Sequence, residues 1–345
     1  MQKPAIDIPT TWTHQGLVIA RPAKNRGVVG DPCIVWDDAI SNWRMVVFAD
    51  APDMRGCGQC VCLHSSNGLP DKWSPVEPIR FLGPHLANHK PYIVQEANHP
   101  NRAARINGEY WLLSIMCLPE GKSVRIARSA SLAGPWTWDA ESVIPHDGPG
   151  AFVEQHDIDA VSGFYFPERN EVLYYFMGYP KKPQPRAISP WGNAQGVAVQ
   201  KVREPEARPL GTVMHPVQQV GHWASGWIGT MQIMPGKEHR WVALLNASPT
   251  APNPEEDATI ARREPAPSLG GWAYCDEEWP VKHWCLMPQP MEWIEDLPPE
   301  AVANGEGTNQ WRQHALILPN GRVAVYYNSG YYNQEQLYLM LSAGS

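Results

Sequence analysis

The stretch SNWRMVVF at residues 41–48 decides the fold, because its pattern returns as NGEYWLL (107–113), NEVLYYF (170–176), HRWVALL (239–245) and NGRVAVYY (320–327). Each copy joins a turn element to a run of aromatic and β-branched residues, the pattern of a hairpin whose second strand is buried. Their last residues lie 65, 63, 69 and 82 positions apart (48 to 113, 113 to 176, 176 to 245, 245 to 327). Self-similarity at a near-fixed period signals a repeat architecture. Five such units in 345 residues predict an all-β chain, a single five-bladed β-propeller domain over 1–345. The blades are expected at roughly 28–80, 95–145, 153–215, 222–295 and 306–342, with LVIA (17–20) closing the ring against the last. A Pro/Glu-rich loop at 249–268 accounts for the longest spacing.

Composition agrees with short strands and long loops. Charged residues are 18% of the chain, while Trp (16) and Pro (35) are abundant. A net charge of −7 and the absence of a basic stripe argue against a nucleic-acid partner. No run of 18 apolar residues is present, so no helical membrane span is expected. The first residues lack the basic-then-apolar pattern of a signal peptide, and seven cysteines without paired spacing read as reduced thiols. Together these give a cytoplasmic protein as the expectation.

In a propeller the innermost strand of each blade starts near the axis on one face, so residues just before those strands converge on one pocket. Blade one offers Asp31, and blade two offers Glu96 and His99 in QEANHP. Blade three offers Glu154, His156, Asp157 and Asp159 in EQHDIDAVSG. Blade four offers His222, Trp223 and Trp227, and blade five Glu306, Trp311, Gln313 and His314. Tryptophan faces stack on sugar C–H surfaces while carboxylates hold hydroxyls. Hydrolysis of a glycoside needs an acid for the leaving oxygen and a base or nucleophile on the opposite face.

Those residues, GDP followed by the WRMVVF hairpin, SSNGLPDKWSP (65–75) and ARSASLAGPWTW (127–138) make the chain resemble the five-bladed propeller glycoside hydrolases, the arabinanase/β-xylosidase family with its invertase-like and anhydrogalactosidase-like relatives. The resemblance spans nearly the whole chain, and its motifs bear more on fold than on activity. It implies that Asp31 is the base and that Asp159 or Asp157 positions and tunes. The family's acid is a Glu opening blade four, where this chain has GHWASGWIGTM without a carboxylate. His222 is the titratable residue there, and the anhydrogalactosidase-like relatives are thought to use a His as acid. Glu96 is the other candidate.

Each residue also has a plainer reading. Asp31 could cap a turn, since Asp-Pro commonly initiates one. His222 could be a satisfied interior histidine, and the Asp157/Asp159 pair could bond loop amides. His314 could line the channel and reach a structural cation such as calcium through water; no cofactor is otherwise required. Cys57, Cys60, Cys62 and His64 resemble a zinc half-site, but buried thiols are the commoner outcome. The expected function is an exo-acting, inverting glycoside hydrolase with Asp31, Asp159 and His222 or Glu96 as catalytic residues. Asp157, His156, His99, Trp227, Trp311 and Gln313 would bind an oligosaccharide. The alternatives are a non-catalytic sugar-binding propeller and a phosphate-dependent phosphorylase using Arg102, Arg105 and Arg312.

Overall fold

A computed structural model describes residues 5–21, 28–49, 59–65, 71–83, 88–119, 121–146, 155–180, 194–219, 221–229, 231–249, 268–292, 310–330 and 335–343, with backbone alone at 59–60, 155–157 and 179–180. Among them there is no helix. After β1 (Trp12–Ile19), the first antiparallel meander is β2 (Val29–Asp37), β3 (Asn42–Ala49), β4 (Gln59–His64) and β5 (Glu77–Pro78). β6 (Phe81–Leu82) runs along the outer edge of the second, which starts at β7 (Asn88–Ile93). Three short strands follow, β8 (Gln95–Glu96), β9 (His99–Ala103) and β10 (Arg105–Ile106). The second meander then continues through β11 (Glu109–Leu118), β12 (Gly121–Ser129) and β13 (Trp136–Ile144). The third is β14 (Gln155–Phe166), β15 (Glu171–Pro180), β16 (Ala194–Lys201) and β17 (Arg208–Met214). The fourth is β18 (Trp227–Ile228) and β19 (Gln232–Pro235), both against β20 (Trp241–Ser248), then β21 (Leu269–Cys275) and β22 (Cys285–Leu286). The fifth is β23 (Trp311–Ile317), β24 (Val323–Ser329) and β25 (Gln336–Ser342), and β1 completes it by pairing with β25.

The five repeated stretches become β3, β11, β15, β20 and β24, the second strand of each meander. Their hairpins follow from turn chemistry. Asn107 and Gly108 both have positive φ, 51° and 87°, as the two-residue turn joining β10 to β11 requires. The strands they lead into are apolar on both faces because each is sandwiched between neighbouring meanders. Trp111, Tyr174, Tyr175, Tyr326 and Tyr327 are all fully buried, and each such side chain contributes about 1.5–3 kcal/mol through burial.

Two sequence readings change here. The second meander opens with β7, NHKPYI at 88–93, ahead of the 95–145 span expected for that blade. Pro91 hides it, because proline lacks the N–H that a central strand donates. The residues read as that blade's opening instead form the β8–β9 ribbon, which bridges β14 and β2 and so merges the first and third meanders into one ten-stranded sheet. The cysteines also differ: Cys33, Cys62, Cys275 and Cys285 are free, but Cys117 is disulfide-bonded. Reading all seven as reduced thiols is therefore incorrect.

Candidate active site at the strand openings

Asp31, Lys90, Asp159 and Arg312 come from the first strands of four meanders, and each lies at a break in strand register. The pairing of β2 with β3 slips between Gly30 and Cys33, that of β7 with β11 between His89 and Tyr92, that of β14 with β15 on both sides of Ile158, and that of β23 with β24 between Trp311 and Gln313. A bulge re-aims a side chain out of the pleat, and bulges favour sites of function. Asp31 and Lys90 also hold φ at 52° and 53°, the left-handed region that most side chains avoid. Lys90 does so just before a proline, which restricts it further. The Asp31 N–H donates to Asn328 Oδ1 at 3.3 Å, which fixes that conformation.

Asp159 is the best-partnered group. Lys90 Nζ lies 2.7 Å from Oδ2 and Lys122 Nζ, from β12, 2.5 Å from Oδ1. Burial favours its neutral form, but the two ammoniums outweigh this and hold its pKa well below the usual carboxylate range. Asp31, also buried, shifts the other way. Burial raises its pKa, opposed by Lys90 and Arg312 and reinforced by the Asp159 charge. The arrangement therefore separates two carboxylates into one held ionised and one that retains its proton longer. His89 shares the cluster; burial and then the Lys90 charge push its pKa down to about 3, so its ring is neutral at ordinary pH.

The other predicted residues are distributed differently. Glu96 pairs in register with Tyr165, six residues beyond Asp159 along β14. At about 3.3 Å per residue this puts it roughly 20 Å away, near the opposite end of the strand. Its carboxylate faces His99 Nδ1 at 3.2 Å and Arg102 Nε at 3.5 Å. Glu96, His99 and Arg102 therefore do not join Asp31, and Glu96 as its partner acid is corrected. His222 sits in the turn before β18, where Nδ1 accepts the Ala224 N–H at 3.1 Å and the ring stacks on Trp223. Burial lowers its pKa. Trp227 and Trp311 stack on one another at 5.7 Å and 9°, with Trp227 packed on Ala160 next to Asp159. That stacking commits one face of each ring, which leaves less platform for a sugar than two free indoles. Gln313 is buried and donates to the Gln310 carbonyl at 3.1 Å. Glu154 and Glu306 lie outside the described residues, as do the side chains of His156 and Asp157.

His314 lies deeper on the axis, inside a ring of amides. Asn101 Nδ2 is 3.2 Å from its Nε2, and the Nε2 atoms of Gln95 and Gln232 are each 3.5 Å away. The amide orientations are set by backbone groups: the Asn101, Ala315 and Ile317 N–H groups donate to Gln95, Gln232 and Asn101 oxygens respectively. The Ile34 carbonyl lies 3.1 Å from His314 Nε2, but the three amides present N–H groups where calcium would need a shell of oxygens, so these residues do not fit the cation. Cys62 and His64 likewise flank Arg44, whose Nη1 is 3.1 Å from Cys62 Sγ and 3.2 Å from His64 Nε2. A guanidinium at that point opposes zinc, and no metal-holding group of three ligands occurs among the described residues.

The sequence matches no family model and no curated protein. Solved structures do match. The chain has the fold of propeller glycoside hydrolases. A structure of the GH130 family of mannoside phosphorylases, which contains glycoside hydrolases that target β-1,2-mannosidic linkages in Candida mannan, aligns with a TM-score of 0.65 at 12% identity over 97% of this chain and 94% of that one. The catalytic domain of the Coprinopsis cinerea GH62 α-L-arabinofuranosidase gives 0.60 at 12% identity over 97% and 98%. A thermostable family-43 glycoside hydrolase gives 0.58 at 12% identity over 93% and 91%. These neighbours come from five-bladed β-propeller families.

Proposed function

We propose that the five meanders are the blades of one propeller and that the protein hydrolyses glycosidic bonds, removing a terminal sugar with inversion. The observation that carries this reading is the pair Asp31 and Asp159, two buried carboxylates from breaks in register on the first and third meanders, both acted on by Lys90 and with opposed protonation tendencies. Asp159, neutralised by two lysines, is a weak base and suits positioning of substrate hydroxyls. Asp31, whose pKa is raised toward the working range, is the better proton acceptor for an attacking water. The proton donor to the leaving oxygen comes from another blade; His222, Glu154 and Glu306 are the residues to test, and Glu96 is too distant.

The test is turnover of a panel of aryl glycosides and oligosaccharides by Asp31→Asn and Asp159→Asn. Each is expected to lose at least about 10²-fold in kcat/KM, in line with removing a general acid–base group. Full activity in Asp31→Asn overturns its role, and binding without turnover in the unmodified protein would leave a sugar-binding propeller. One observation favours a second reading: Lys90, Lys122 and Arg312 surround Asp31 and Asp159, a cation set suited to inorganic phosphate. Of the three arginines expected for phosphorolysis, Arg312 alone belongs to this set. Turnover that requires phosphate identifies a phosphorylase.

A further inference from the structure

The end of the β11–β12 hairpin runs past its neighbouring strands. The ladder of β7 on β11 stops at Met116 opposite Asn88, and that of β13 on β12 stops at Val124 opposite Ile144. Beyond those points, among the described residues, Cys117 and Leu118 are in register only with Lys122 and Gly121. A two-stranded ribbon is marginally stable by itself. This end is tied to the rest of the molecule by Lys122, whose Nζ lies 2.5 Å from Asp159 Oδ1, and by Cys117, which is disulfide-bonded. Cys117 and Lys122 stand directly opposite each other, and opposed residues of an antiparallel pair share a face. The disulfide therefore leaves from the face that presents Lys122 to Asp159.

Cys33, Cys62, Cys275 and Cys285 are free, which leaves Cys57 or Cys60 as the partner. In the chain both follow β3 of the first meander, Cys60 within β4 and Cys57 ahead of it, outside the described residues. The disulfide thus joins the first meander to the second, and the Lys122–Asp159 pair joins the second to the third. Resting on the glycosidase reading for its effect on activity, we propose that this disulfide holds the hairpin end that presents Lys122 to Asp159, and that a dithiol reductant lowers activity by releasing it. One thiolate of the reductant attacks a sulfur of the bond, and its second thiol then displaces the mixed disulfide. Two electrons and two protons pass to the protein, whose two sulfurs end as thiols, and the reductant leaves as its own disulfide. Lys90 stays 2.7 Å from Asp159 Oδ2, so the loss is partial. Cys117 is on this account a positioning residue that acts through Lys122.

A cross-link also stabilises a fold generally, so the test must separate that gain from positioning. Non-reducing peptide mapping of the full chain is expected to find Cys117 joined to Cys57 or Cys60; a free Cys117 after air oxidation overturns the proposal. Reduction with dithiothreitol is expected to speed amide exchange at residues 117–122 well ahead of the β14–β15 hairpin. An equal rise in all meanders overturns it, because the bond would then stabilise the fold without holding this end. Turnover of the glycoside panel gives the sharper reading. Reduction, or Cys117→Ser, is expected to lower kcat/KM by about tenfold, the scale of one hydrogen bond to a charged group. In Lys122→Met the same reduction is expected to change it by less than about twofold, since both changes act through one contact. Equal losses in the two backgrounds overturn the proposal and leave the hydrolase reading standing. An oxidised protein that turns over no glycoside removes the hydrolase reading, and exchange then decides whether the bond holds the hairpin end. Exchange is measured on the unmodified protein, so it decides even if Cys117→Ser and Lys122→Met fail to fold.

Discussion

Asp31 shows what a single position must satisfy here. It occupies the left-handed region, loses water on folding and lies between positive groups. A carboxyl whose folded pKa is raised stabilises the fold below its ordinary pKa, and that contribution is lost as pH rises through the folded value. Asp31→Asn is therefore expected to be inactive yet to melt at a higher temperature than the unmodified protein at pH 7. Asp31→Ala removes the same charge but fits the left-handed conformation less well than asparagine, so urea unfolding is expected to find it about 1 kcal/mol less stable than Asp31→Asn. Equal stability of the two would mean that the strain at this position has no energetic weight. Both carboxylates were legible in the sequence, because the repeat itself marks where each meander begins. Their cationic partners were not. His89 and Lys90 lie in a stretch whose proline disguises a strand, and Lys122 reaches Asp159 from a second hairpin arm that no periodicity assigns to the axis.

At the scale of the element, the broken inner strands matter as much as the intact second ones. The sequence reveals β3, β11, β15, β20 and β24 because a turn followed by an apolar run has one physical outcome. A bulge leaves no such mark, since it depends on how two strands pair. Packing between meanders is equally hidden, and Gly163 on β14 illustrates it. A Cβ there would lie 2.8 Å from Leu113 Cδ1 and 3.1 Å from Val94 Cγ2, where the second and third meanders meet. Gly163→Ala is expected to lower unfolding stability by about 1–3 kcal/mol, the usual cost of overpacking. A change under about 0.5 kcal/mol in urea denaturation would show that the two meanders separate readily to admit a methyl group.

At the scale of the whole molecule, the first and last parts of the chain share a sheet and the axis is filled by polar side chains. β1 pairs with β25 from Trp12 opposite Ser342 to Ile19 opposite Leu337. Deleting residues 1–20 removes that strand and bares the edge of β25, so aggregation and a clear fall in melting temperature are expected by light scattering and calorimetry. The axis makes a sharper prediction. His89 and His314 are both driven down to about 3, mainly by burial, against an ordinary value near 6.5. Between those values the unfolded chain binds protons that the folded chain refuses. Their contribution to stability is therefore complete above pH 6.5 and is lost as pH falls toward 3, at about 1.4 kcal/mol per pH unit for each histidine. Asp159 acts in the same sense below its ordinary pKa of 3.8, where its ion pairs are titrated. His64 and His222, whose pKa burial also lowers, add to the slope of every variant, so urea unfolding between pH 4 and 6 should give a slope about one proton shallower for either His89→Gln or His314→Gln than for the unmodified chain. This reading is independent of how much each substitution lowers stability at pH 7, because it compares slopes. A flat profile for the unmodified chain over that window would mean that the axis opens and admits water well before the fold is lost.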